Sequence, residues 1–157
     1  MEILPLKIGD ELYVRKTAEK SWKYTYKNIY KNEFIEYWID KYYNLSTIKN
    51  DIEKSINNKN PLFYGLFDNN IMAGFIEIDK INKTLLRFYL APEYIGKGYG
   101  THLLKSIEEI IINEKIESLI LCVNQLNFNA IKFYKKNGFK IIKEDNEDYI
   151  MEKYYGK

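Results

Sequence analysis

Ile95-Gly96-Lys97-Gly98-Tyr99-Gly100-Thr101 stands between an apolar run, Leu85 to Leu90, and a stretch with apolar residues at Leu103, Leu104, Ile107, Ile110 and Ile111. The compact first run and the helical spacing of the second predict a strand, a glycine turn and a helix start. Glycine lets the chain turn sharply and lets a ligand approach the backbone. Unbonded N–H groups at a helix start, with the positive end of its dipole, favour an anion there. The segment is therefore expected to cradle a phosphate, with a purely structural turn as the alternative on these residues alone. It is no Walker loop, because Gly100 is followed by Thr101 and His102 rather than by Lys-Ser or Lys-Thr. Nor is it a dinucleotide fingerprint, whose spacing is Gly-x-Gly-x-x-Gly rather than Gly-x-Gly-x-Gly.

Downstream lies Asn127-Phe128-Asn129-Ala130-Ile131-Lys132-Phe133-Tyr134-Lys135-Lys136-Asn137-Gly138-Phe139. Asn127 is expected to cap a short helix, Gly138 to end it where φ is positive, and Phe139 to open a strand. Between the two segments the run Leu119 to Val123 predicts another strand. This arrangement resembles the acetyl-CoA-binding core of the GNAT family of N-acetyltransferases. The signatures of that family are (Arg/Gln)-x-x-Gly-x-(Gly/Ala) and Asn-x-x-Ala-x-x-(Leu/Phe)-Tyr-x-x-x-Gly-Phe. The second is matched at Asn127, Ala130, Phe133, Tyr134, Gly138 and Phe139; the first departs at Ile95, where the family has Arg or Gln.

Outward from this core, Glu11 to Lys16 is expected as a first strand, followed by a helical region with aromatics at Trp22, Tyr26, Tyr30, Phe34, Tyr37 and Trp38. A helix should run from about Ser46 to Ile56, ended by Asn58 to Pro61. Leu62 to Phe67 and Ile71 to Ile78 predict a hairpin around Asp68-Asn69-Asn70, and Thr84 to Leu90 a third strand. Helices over Thr101 to about Asn113 and Asn127 to Asn137, and strands over Phe139 to Lys143 and Tyr149 to Lys153, complete the chain. The expected fold is α/β (α+β): a single domain over 1–157 with a mixed, mostly antiparallel twisted sheet of about seven strands and helices on both faces. The resemblance implies the same architecture over nearly the full length.

The resemblance also implies a chemistry, acetyl transfer from acetyl-CoA to an amine. By position, the cofactor contacts of the family map to Phe88, Tyr89 and Leu90, then to Gly96, Lys97, Gly98, Tyr99, Gly100 and Thr101, then to Asn127. Tyr134 takes the place of the usual general acid, a phenol that stays protonated at neutral pH; packing on the sheet is the alternative. No base is identified. The glutamate of the branch that acetylates protein N-termini maps to Cys122, and the acidic pair of the mammalian spermidine/spermine branch maps to Leu86 and Arg87. A water chain or Glu77, the carboxylate of the central hairpin, is left for the task.

The segments Ser21 to Tyr26 and Phe34 to Trp38, with Leu86 to Leu90 and Ile150 to Lys153, resemble the PaiA-type acetyltransferases, which act on polyamines. Trp22, Tyr26 and Glu77 are accordingly candidate acceptor contacts, since aromatic faces and carboxylates suit a flexible cation. The acids Glu144, Asp145, Glu147 and Asp148 fall in a loop that, in this family, lies near the acceptor entrance. A protein N-terminus as acceptor, and a non-catalytic acyl-CoA-binding module, remain alternatives.

Composition sets the outer bounds. The 157 residues, 46% of them hydrophobic, suffice for one sizeable core. A net charge of +2 lacks the excess of a nucleic-acid binder. Lone Cys122 has no disulfide partner in the chain and, within an apolar strand, is expected as a buried small hydrophobe. No zinc-like spacing exists, so no metal is expected, and His102 is expected on a helix surface. With no signal-peptide pattern and no run of ~20 apolar residues, the expected location is the cytoplasm and no membrane partner is expected. The expected partner is a small-molecule amine acceptor; a homodimer is left open.

Overall fold

The computed structural model describes residues 1–156. Seven strands form one sheet: β1 (Glu2–Pro5), β2 (Leu62–Asp68), β3 (Ile71–Asp79), β4 (Thr84–Leu90), β5 (Ser118–Asn124), β6 (Lys140–Asp145) and β7 (Asp148–Tyr154). Their spatial order is β1-β2-β3-β4-β5-β7-β6. Every neighbouring pair is antiparallel except β4 and β5, which are parallel. The parallel pair needs a crossover, and α4 (Tyr99–Asn113) supplies it.

Helices α1 (Glu11–Tyr26), α2 (Asn32–Tyr42) and α3 (Leu45–Asn57) cover one face; α4 and α5 (Phe128–Lys136) cover the other. Period two divides the strands between these layers. On β3, Phe75 packs toward the α1 side while Ile76 and Ile78 pack toward α4, where Leu103, Leu104, Ile107 and Ile111 form the helical stripe. The expected mixed, mostly antiparallel sheet with helices on both faces is the observed one.

Two expectations near the N-terminus are corrected. Glu11 to Lys16 is helix, not strand. The short window Leu12-Tyr13-Val14 has β-like composition, but the buried positions of α1 are Val14, Thr17, Ala18, Ser21, Trp22 and Tyr26, spaced three and four apart. A helix buries that set on one face and a strand cannot. The first strand is instead the edge segment Glu2–Pro5, which pairs with β2 from Glu2–Phe67 to Pro5–Tyr64. The aromatic helical region is two helices, because the chain turns over residues 27–31.

Candidate active site

After one rung, β4 and β5 separate. Thr84 opposite Ile120 is the single register pair between them among the described residues, with the Ile120 amide donating to the Lys83 carbonyl at 2.9 Å. A cleft of about 1210 Å³ opens in the gap and runs from one face of the sheet to the other.

At one end is the glycine turn. Gly98 occupies the N-cap of α4 in the left-handed region (φ 86°), and Gly96 shares that conformation (φ 78°). No side chain caps α4, and its first turn carries no acid. The amides of Tyr99, Gly100 and Thr101 precede the first intrahelical bond, donated by His102 to the Gly98 carbonyl at 3.1 Å. These uncapped donors at a dipole end fit an anion. Gly96, Gly98, Gly100 and Thr101 line the cleft; Lys97 and Tyr99 do not, Lys97 being exposed and Tyr99 packing edge-on against Tyr94. Lys136, from the last turn of α5, lines it instead. Nothing in the sequence separated that lysine from its neighbours. His102 is exposed on α4, as expected.

In the middle, Phe88, Tyr89, Leu90 and Tyr134 all line the cleft. Tyr134 is only 8% exposed, set among Phe88, Phe133 and Phe139 with ring centroids 5.5–6.4 Å away. Burial, with smaller contributions from Tyr89 and Tyr26, pushes its pKa well above the ordinary 10. The phenol therefore holds its proton at neutral pH and can act as a donor, not as a base.

The far end is aromatic and acidic. Trp22, Tyr26, Tyr30, Phe34 and Trp38 recur every fourth residue, and the turn between α1 and α2 closes them into a ring. Successive centroids are 4.5, 5.4, 4.7 and 6.2 Å apart, and Trp38 stacks back on Trp22 at 5.1 Å. Asn127 caps α5 by accepting from the Ala130 amide at 3.2 Å, and donates to the Tyr26 hydroxyl at 3.3 Å. Asn124, which the sequence did not single out, donates to Tyr30 in the same way at 2.8 Å. Asp145 at the end of β6, Glu147 in the β6–β7 turn and Asp148 at the start of β7 line this end, so three of the four acids expected in that loop lie at the rim, two of them on strand ends.

Cys122 is not buried. Leu119, Leu121 and Val123 enter the core, whereas Cys122 sits on the opposite side of β5 and is exposed to the cleft. The apolar run resembled a strand covered on both faces, but the departure of β4 leaves one face open there.

Glu77 is not brought to the large cleft. It is fully buried in a smaller cavity of about 270 Å³ that shares Trp22, Trp38, Leu86 and Tyr89 with the cleft. Arg87 reaches Glu77 Oε1 at 2.6 Å, Asp51 Oδ2 at 2.8 Å and the Tyr42 carbonyl at 2.7 Å. Burial, aided by Asp51 and opposed by Arg87, pushes the Glu77 carboxyl up to about 8. Asp51 and Tyr43 were not picked out from sequence; a lone aspartate in a polar helix carries no signal of a partner 36 residues away.

Residues 23–139 match the model of the Acetyltransferase (GNAT) family. The chain belongs to the GNAT acetyltransferases. Within that family it is 42% identical to a spermidine N(1)-acetyltransferase of Thermoplasma acidophilum, over 99% of this chain and 98% of the relative. A solved structure of PaiA N-acetyltransferase from Thermoplasma acidophilum in complex with coenzyme A superposes with a TM-score of 0.94 at 41% identity, covering 98% of each chain. The ribosomal-protein-S18-alanine N-acetyltransferase of Escherichia coli shares the fold alone, with a TM-score of 0.72 at 18% identity over 98% of this chain and 92% of that one. The GNAT motif positions thus lie where the sheet of this chain splits. No helix among the described residues is long and apolar enough to cross a membrane.

Proposed function

We propose that this chain transfers the acetyl group of acetyl-CoA to a primary amine of a polyamine such as spermidine. The observation that carries the reading is the single cleft through the split sheet, with an anion cradle at one end and an aromatic, acid-rimmed entrance at the other. Those ends suit the two substrates: a pyrophosphate on the amides of residues 99–101, and a flexible cation among π-faces and carboxylates. The near full-length likeness to a spermidine acetyltransferase supports the same choice.

The reaction is direct attack of a neutral amine on the thioester carbonyl. Those backbone amides of β4 around Phe88 to Leu90 that face the gap left by β5, rather than β3, would stabilise the developing oxyanion. Tyr134 then gives its proton to the departing thiolate as the carbon–sulfur bond breaks. Water in the open cleft takes the proton lost by the amine, since Glu77 lies outside this space.

A thiol-release assay with acetyl-CoA and a panel of spermidine, spermine, short peptides and amino acids tests the proposal. Preference for the polyamines is expected. Faster turnover of peptides would replace it with N-terminal acetylation, and no thiol release from any acceptor would leave a binding module.

A further inference from the structure

We infer that the small cavity floored by Glu77 is a subsite for a second cationic group of the acceptor, seated between the aromatic walls with the free Glu77 oxygen as its counter-ion. This rests on the amine-acceptor reading above and extends it to how a polyamine is told from a monoamine.

Three observations carry it. The first is chemical incompleteness. Glu77 Oε2 and the indole Nε1 of Trp22 are the two fully buried side-chain polar atoms among the described residues that have no partner, and both residues line this cavity. Buried polar groups almost always find partners, and an ammonium can donate to the carboxylate oxygen, though not to the indole N–H, which is itself a donor; the unpartnered Glu77 oxygen is the atom that points to a cationic occupant. The second is charge. Two carboxylates, Glu77 and Asp51, face a single guanidinium, and Arg87 already spends its contacts on both of them and on the Tyr42 carbonyl. With Glu77 ionised, one negative charge is left over, which one ammonium would neutralise. The third is shape: Trp22, Trp38, Tyr42, Tyr43 and Tyr89 wall the cavity, and π-faces attract a desolvated cation. Because Trp22, Trp38, Leu86 and Tyr89 belong to both spaces, a diamine can leave one nitrogen in the cleft and place the other beside Glu77.

The groups facing Glu77 also define a proton balance. Burial pushes Tyr43 and Tyr89 up, so they stay neutral; burial works against the charge of Arg87, but Glu77 and Tyr43 hold its pKa up. Glu77, at about 8, is the member of the set that exchanges a proton near neutrality. Seating an ammonium there should drive that proton off.

The two tryptophans of the chain, Trp22 and Trp38, line both the cavity and the cleft, so their fluorescence reports occupancy of either without turnover, and the Glu77→Gln comparison separates the two. Titration with 1,4-diaminobutane should give a saturable change in the wild type, with affinity at least ~10-fold lower in Glu77→Gln and reduced in Asp51→Asn, a second variant in case the first folds poorly. Calorimetry at pH 7 in two buffers of different ionisation enthalpy should find proton release on binding in the wild type and none in Glu77→Gln. The ratio of kcat/KM for 1,4-diaminobutane over butylamine should fall at least ~10-fold in Glu77→Gln. Equal diamine affinity in wild type and both variants overturns the subsite, as does an equal loss for diamine and monoamine. Failure of the wild type to acetylate any amine would sink the acceptor reading separately, since the fluorescence titration does not depend on it.

Discussion

At the scale of the residue, the site depends on side chains whose surroundings change what they can do. Tyr134 lies in an aromatic pocket that fixes its proton. Tyr134→Phe keeps the ring contacts and removes only the hydroxyl proposed as the acid, so kcat should fall by ~10² while CoA affinity, read by calorimetry, changes little. Unchanged turnover would assign the tyrosine to packing. Glu77 gives a second test, through stability. Its folded pKa of about 8 exceeds the ordinary 4.5, so between these values the folded chain keeps a proton that the unfolded chain releases. That contribution is complete below 4.5 and is lost as pH rises toward 8. Tm should therefore decline with pH across this window in the wild type and less steeply in Glu77→Gln; parallel profiles would reject the shift. Tyr134 was legible because a motif names it, and Glu77 was found only as the odd carboxylate of an apolar hairpin. Its partner Arg87 became visible once antiparallel pairing set Glu77 opposite it. Asp51 was invisible because the contact is tertiary.

Elements position these residues. The turn before α4 works because two glycines accept left-handed φ and no side chain occupies the helix end. Aspartate tolerates left-handed φ better than most residues, so Gly98→Asp mainly adds a negative charge where the amides await one. CoA affinity should drop at least ~10-fold, about 1.4 kcal/mol, by calorimetry on a variant whose circular dichroism matches the wild type. Full affinity would move the anion elsewhere. This element was read from sequence almost whole, since glycine spacing and the apolar helical stripe are local signals. The α1–α2 hairpin was not. Its four-residue aromatic interval runs unbroken through the turn at residues 27–31, so periodicity could not mark where one helix stops. Residue composition misled at Leu12-Tyr13-Val14 for a related reason: three residues are too few to tell period two from period three to four.

At the scale of the whole molecule, opposite charges meet opposite ends of one passage. Asp145, Glu147 and Asp148 rim the entrance, with Glu144 exposed beside them. Neutralising all four as Asn and Gln should raise KM for spermidine several-fold, and added salt should shrink that difference because exposed charges are screened over about 8 Å. A salt-independent KM that ignores the substitutions would argue for a neutral acceptor. The layers were legible from the alternation of strand and helix signals, but the split was not, because it lies in what β4 and β5 fail to do beyond Thr84. That single rung has a mechanical consequence. The sheet is two panels, β1 to β4 and β5 to β7, joined in their backbones by one hinge point. Whatever lies along the seam acts as a missing strand, fastening the panels by bonds that neither can make to the other. Saturating CoA, at ~100 times its Kd, should then add about 2.7 kcal/mol of stability. It should also slow amide exchange together in β4 and in β5, two segments that share a side-chain core but only one backbone rung.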